Sequence, residues 1–407
     1  MPQRSYQLLT VLAGLSRALD LASVGLRRHH EMVALAARGI GEQMGFSGAE
    51  LERLTSAALV HDVGVSTHRE RDQIERVDGA ELLASDHHAE VGAQRLAASG
   101  LLARYADVVR YHHERWDGRG PHSLRGEEIP LASRIIHVAD RLSVLLARSR
   151  LPLGRSREVL SVLRAGSGTF FDPSVVEGAA ALLSRESFVL DVTADFTGSL
   201  ARALPSPPTP EVGLAELLGV AEVFAEVIDG KSPFTRRHSR LVARIARRLG
   251  ERLGFGADAG RLELAGLLHD VGKMVIPEEI LMSPQALSPA EFDLIRTHPY
   301  YSYHVLAAID GFDDSIAEWA AFHHERLDGN GYPFHIGGDR LSLGARVVSV
   351  ADIAAALCED RPYRPAMSER AVAVELQHKV KIGALDGDVV QALLEVLPEF
   401  LSVTQVA

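Results

Sequence analysis

The chain repeats itself once, and this constrains its fold more than any other feature. "RRHHEMVALAARGIGEQMGF" (27–46) aligns with "RRHSRLVARIARRLGERLGF" (236–255), and "AALVHDVG" (57–64) aligns with "AGLLHDVG" (265–272). "HHERWDGRG" (112–120) matches "HHERLDGNG" (323–331), and "ASRIIHVAD" (132–140) matches "GARVVSVAD" (344–352). "GTFFDPSVV" (168–176) matches "IGALDGDVV" (382–390). The spacing drifts only from 208 to 214 residues, as small loop insertions would produce. A period this long duplicates a whole domain rather than a solenoid unit.

Each copy reads as helical. Leu214, Leu217, Leu218, Ala221, Phe224, Ala225 and Ile228 share one apolar face, and Leu241, Ile245 and Leu249 share another. Leu8, Leu12, Leu15 and Leu19 recur at the same period near the N-terminus. That run has no clear small-residue cleavage site and is interrupted by Arg17 and Asp20. It therefore predicts a packed amphipathic helix rather than a signal peptide or a membrane span. "SFVLDVTADF" (187–196) is β-branched and alternating, which predicts a short strand. "PSPPTPEVG" (205–213) predicts a semi-rigid linker. The expected architecture is all-α, with two tandem helical domains, 1–200 and 214–407. A proline-rich linker at 201–213 joins them, with one short strand element before it.

Composition narrows the partners. A hydrophobic fraction of 46% is ordinary for a chain with real cores. A net charge of −11 makes a poor nonspecific nucleic-acid binder, so no direct nucleic-acid binding is expected. A small anion can still bind where the site supplies metal or local positive charge. Cys358 is the one cysteine, so an intrachain disulfide is excluded and a cytoplasmic location is expected. It reads as a small buried side chain rather than a ligand.

The repeated motifs carry metal chemistry. "RLELAGLLHDVGK" (261–273) is an apolar helix ending in His269-Asp270, with Gly272 as a stop. Adjacent helical residues point about 100° apart and do not normally share one small target. They share one if Asp270 uses both oxygens to bridge two metals while His269 binds one. His323 and His324 pose the same problem, and His238, His298 and Asp352 stand in a plausible order around them. Pro299 disturbs the helix at His298. A lone His-Asp pair at a helix end is commonly a capping feature. Random surface histidines, however, do not recur in the same order in two copies. Nitrogen and carboxylate ligands suit Fe, Mn, Zn, Co or Ni over Mg or Ca.

"HDVGK", "IPEEILMSP", "HHERLDGNGYP" and "VADIAAALCEDRPYR" together resemble the HD-GYP family, a branch of the HD metallohydrolase superfamily. The resemblance covers about 214–395, and the first copy resembles a diverged HD domain over about 8–183. It implies an all-helical fold and a metal-dependent phosphodiesterase hydrolysing the messenger cyclic di-GMP, with two divalent ions, usually Fe or Mn. His238, His269 and Asp352 would hold one ion and His298, His323 and His324 the other, with Asp270 between them. In-line attack on phosphorus would follow, the two metals stabilising the attacking and leaving oxygens. Lys273 would contact a phosphate. Gly329, Gly331, Tyr332 and Pro333 would form the signature turn, with the tyrosine ring as a stacking face. Arg361 and Arg364 would grip the dinucleotide phosphates bidentately.

The match has departures. Trinuclear members carry a glutamate where this chain has Phe234, so two metals are expected, with linear pGpG favoured as the product over full conversion to GMP. Members often read AD-x-x-D, where Asp352 is followed here by Ala355. That loss motivates a second reading, a catalytically weak receptor that signals through a partner or as a homodimer. A third keeps hydrolysis but takes another cyclic dinucleotide or a nucleotide phosphate ester. In the first copy His29 (or His30), His61, Asp62, His88 (or His87), His112, His113 and Asp140 offer a second metal site. There Val65 replaces the lysine, the turn lacks the tyrosine, and no "RPYR" follows Asp140.

Overall fold

The computed structural model describes residues 5–22, 28–65, 67, 87–147, 152–193, 210–231, 237–283, 285–360 and 364–404. These fall into two compact units, Gln7–Val212 and a second made of Gly213–Ala407 with the first six residues.

The fold is all-α. In the first unit the helix Leu8–Asp20 buries Leu8, Leu12, Leu15 and Leu19, the period that its sequence shows. The helix His29–Gln43 packs on Gly48–Leu59 and on Leu131–Ala147, so the segments that start and end the repeat's metal motifs share one core. The second unit repeats this arrangement. His238–Arg252 packs on Ala259–Leu268 and on Leu343–Cys358, with Leu241, Ile245 and Leu249 buried. Ser342 caps the Leu343 helix by accepting from Ala345 N–H. The break expected at His298 is present. One helix spans Pro289–Ile295 and a new one starts at His298, with Pro299 in its first turn, where a missing N–H costs nothing.

The strand expected over 187–196 is not there: Glu186–Thr193 is a helix, and residues 194–196 lie outside the described residues. Val189 and Val192, three apart, are buried, whereas Leu190 is exposed. Packing against the helices Pro152–Ala165 and Pro173–Leu183 selects the helical period over the β-branched preference. The described strands are the two-residue segments Tyr6–Gln7 and Glu211–Val212, which pair in one small sheet. Of the proline-rich stretch, residues 201–209 lie outside the described residues.

Candidate metal centres

In the second unit the helix Ala259–Leu268 ends just before His269 and Asp270, and the chain turns into the short 3-10 segment Val271–Val275. Gly272 makes this possible, because a Cβ there would lie 2.1 Å from the carbonyl oxygen of His298. The His298 helix can therefore press directly onto the His-Asp turn. Gly64 stands the same way against His88 in the first unit, at 1.8 Å.

Asp270 is buried and divides its two oxygens. Oδ2 lies 3.2 Å from His269 Nε2 and 2.5 Å from Lys273 Nζ. Oδ1 lies 3.3 Å from His298 Nε2 and 3.8 Å from His323 Nε2. Asp352 Oδ1 adds contacts of 3.0 Å to His238 Nε2 and 3.8 Å to His269 Nε2. Two groups result, His238 with His269 and Asp270, and His298 with His323 and His324.

The first unit builds the same pattern. Asp62 Oδ2 lies 3.5 Å from His61 Nε2 and 3.8 Å from His29 Nε2, and Oδ1 lies 3.3 Å from His88 Nε2 and 3.8 Å from His112 Nε2. His29 Nε2 is 3.3 Å from Asp140 Oδ1, and His113 Nε2 is 3.0 Å from His88 Nε2. His29 and His88 are the ones placed in the clusters. His30 turns its Nδ1 to Asp20 at 2.6 Å, and His87 is exposed.

Backbone carbonyls set the tautomers. Nδ1 of His269, His298 and His323 donates to Gly266, Ile295 and Ala320, and Nδ1 of His61 and His112 donates to Ala58 and Val109. A carbonyl only accepts, so each Nδ1 carries the proton and each Nε2 presents a lone pair inward. The buried Nε2 atoms of His61, His112 and His269 have no hydrogen-bond partner among the described residues. Leaving such atoms unpaired costs about 1–3 kcal/mol each, and a cation removes that cost. The residues fit divalent metal in both units.

The electrostatics agree. Burial holds His298 below its ordinary value, His323 well below it, and His324 at about 3, so these rings are neutral. Burial likewise lowers His61 to about 3. Burial would raise Asp270, but His269 and Lys273 outweigh it and hold the carboxyl well below the usual carboxylate range. His238 goes the other way. Burial would lower it, but hydrogen bonds to Asp352 and Glu359 raise it to about 10, so a cation arriving there displaces a proton. When bound, a metal pair of this kind polarises a phosphoryl oxygen and acidifies a water.

The approach to the centre is built by the signature turn. Glu325 is buried and accepts from Phe334 N–H at 2.7 Å and Ile336 N–H at 3.0 Å, so it clamps the turn's exit rather than binding metal. Glu114 does the same with His122 and Leu124 N–H, one residue earlier in register because the first copy lacks the tyrosine. Gly329 sits at φ 76°, and a Cβ on Gly331 would lie 2.4 Å from Glu325 Cα. The Tyr332–Pro333 peptide is cis. The Tyr332 ring lies 4.8 Å from His324, with the Arg296 guanidinium 5.4 Å from its centroid. Burial and the nearby Asp352 and Asp270 carboxylates raise the Tyr332 hydroxyl, so it stays a donor.

One expected position stands apart from this cluster. Arg364 donates to the carbonyls of Ala356, Leu357 and Pro365, so it orders the chain after the Leu343–Cys358 helix. Arg361 and Phe234 lie outside the described residues. Cys358 is buried and its thiol is pushed up to about 11, in keeping with an inert core side chain. Sequence reasoning missed the roles of Glu325 and Glu114, although their recurrence after "HH" was visible. It also missed Arg296 beside the tyrosine and Glu359 on His238, which no repeat signals.

An all-helical fold with His/Asp cradles split about a shared carboxylate is that of a metal-dependent phosphohydrolase. Models of the HD domain match residues 26–145 and 222–389, and the chain belongs to the HD-domain family, homologous to HD-GYP-type cyclic dinucleotide phosphodiesterases. It is 32% identical over 392 residues to 3'3'-cGAMP-specific phosphodiesterase 1 of Vibrio cholerae, covering 93% of this chain and 89% of that protein. A cyclic di-GMP phosphodiesterase of Pseudomonas aeruginosa is 43% identical over 101 residues, 25% of this chain and 24% of that one. The crystal structure of a V. cholerae cyclic GMP-AMP specific phosphodiesterase, V-cGAP3, superposes with a TM-score of 0.68 at 26% identity, covering 97% of this chain and 98% of that one. Among the described residues no helix is long and apolar enough to cross a membrane.

Proposed function

We propose that the protein is a cytoplasmic cyclic dinucleotide phosphodiesterase whose second domain hydrolyses 3'3'-cGAMP to a linear, 5'-phosphorylated dinucleotide. The observation that carries the reading is Asp270, whose two oxygens face two histidine groups while Lys273 stands against one of them. The choice of 3'3'-cGAMP over the cyclic di-GMP expected from the motifs rests on the relative that matches across both domains. Cyclic di-GMP is the second reading, favoured by the Pseudomonas enzyme, whose similarity is confined to a quarter of the chain. Each domain holds two divalent cations, Fe or Mn. In the second, His238, His269 and Asp352 would hold one ion and His298, His323 and His324 the other, with Asp270 between the two groups.

Lys273 donates to a phosphate oxygen of the bound dinucleotide, Tyr332 offers a base its ring face, and Arg361 adds a phosphate contact. The first domain, with Val65 at the lysine position and an exposed Pro121 after its turn, holds metal without this dinucleotide grip. The test is chromatographic product analysis of Mn-loaded full-length protein with 3'3'-cGAMP and cyclic di-GMP. The expected result is linear dinucleotide from 3'3'-cGAMP at the higher kcat/KM, lost in His269→Ala. Binding of both nucleotides without turnover would favour a receptor and contradict the proposal.

A further inference from the structure

The duplication exposes an exchange of support for the first metal-ligating histidine. In the first domain Ser143, three residues after Asp140, places its hydroxyl 3.3 Å from His29 Nδ1, and the helix ends at Ala147. In the second domain the serine's counterpart is Ala355, fully buried and unable to hydrogen-bond, while the counterpart of Ala147 is Glu359. Glu359 stands just past the end of the Leu343–Cys358 helix and returns a carboxylate oxygen to His238 Nδ1 at 2.9 Å. Positions 355 and 359 are one helical turn apart and lie on the same helix face, so either can serve the same ring. The two domains thus solve one problem from adjacent turns, with a hydroxyl in one and a carboxylate in the other.

The geometry points to Glu359 as the positioning residue of the second metal centre. It holds the Nδ1 proton of His238, turns Nε2 toward the metal position shared with Asp352, and raises the basicity of the ring as a ligand. It also supplies, from one turn further on, the side-chain partner that Ala355 cannot. Its carboxylate adds negative charge beside the centre, which Ser143 does not, so the second domain's cradle holds a divalent cation more tightly than the first. This rests on the metal-centre reading above.

The test is calorimetric titration of the full-length chain with Mn²⁺ alone, comparing wild type, Glu359→Gln, Glu359→Ala, and Glu359→Ala combined with Ala355→Ser. Glu359→Ala is expected to weaken the tighter class of sites about 10- to 100-fold, the usual effect of removing an outer-shell partner. Glu359→Gln, which keeps an acceptor but not the charge, should lose less. Ala355→Ser should restore part of the loss by reinstating the first domain's arrangement. Glu359→Ala binding Mn²⁺ within about twofold of wild type would overturn the inference. So would a loss that Ala355→Ser leaves wholly unrestored, which would assign Glu359 to packing the helix end. Wild type failing to bind Mn²⁺ at all would instead sink the metal reading itself.

Discussion

Asp62 and Asp270 stand in the same relation to their histidines. Each has 3.3 Å from one oxygen to a histidine in the first turn of a later helix, and 3.8 Å from that oxygen to the first histidine of the HH pair. Three residues on from these aspartates the domains part. Lys273 reaches back to Asp270 at 2.5 Å, whereas Val65 is buried apolar surface. The same split appears at the turn. Both domains keep the clamping glutamate, but among the described residues only the second places a tyrosine from its turn against its HH pair. A duplicated domain can therefore keep the His/Asp cradle while differing in the side chains beside it. The two sets belong to different layers of the structure, one fixed by core helices and the other by a loop and a helix end.

The sharpest way to break this comparison is to remove the shared carboxylate from each domain in turn. Asp270→Ala should lower kcat for cyclic dinucleotide hydrolysis about a thousandfold or more, since it strips several kcal/mol of transition-state stabilisation. Asp62→Ala should leave kcat within about threefold. Equal losses would mean that both domains do the chemistry. Next in size, Lys273→Met, which gives the second domain an apolar side chain like Val65, should cost about a hundredfold in kcat, as for loss of one donor to a developing charge. Steady-state kinetics showing only a KM effect would move Lys273 from transition-state stabilisation to ground-state binding. The smallest effect concerns what the domains share. Glu325→Ala and Glu114→Ala each free two backbone N–H groups and should destabilise by about 2 kcal/mol. Urea unfolding that found Glu325 alone important would show that the first domain's turn has drifted further than its hydrogen bonds indicate.

Much of this is legible in the sequence. The repeat placed the histidines and aspartates in order, and the helical periods of Leu8–Leu19 and Leu241–Leu249 reappear as buried faces. The strand expected over 187–196 is a helix over Glu186–Thr193, because a β-branched alternation says what an isolated strand would prefer. Val189 and Val192 are instead buried by two neighbouring helices that local sequence cannot reveal. Glu359 was illegible for a related reason. Its place in the first copy is held by Ala147, so the repeat does not signal it, and its contact with His238 spans 121 residues. Lys231 is another such case. It is buried, donates to the carbonyls of Lys273, Met274 and Ile276, and so holds the strap that carries Lys273, whereas Ala22 stands at the matching place in the first copy. Periodic patterns report faces and repeats report shared ligands, but a contact made once across a domain leaves neither mark.

The central claim, that both domains hold metal and only the second carries the dinucleotide side, is tested most directly by elemental analysis of anaerobically purified full-length protein. Wild type, His61→Ala/Asp62→Ala and His269→Ala/Asp270→Ala would be compared. The account predicts about four ions per chain in wild type, two from each domain, falling to about two in either variant. Wild type holding about two ions, all lost in the His269/Asp270 variant and none in the His61/Asp62 variant, would contradict it.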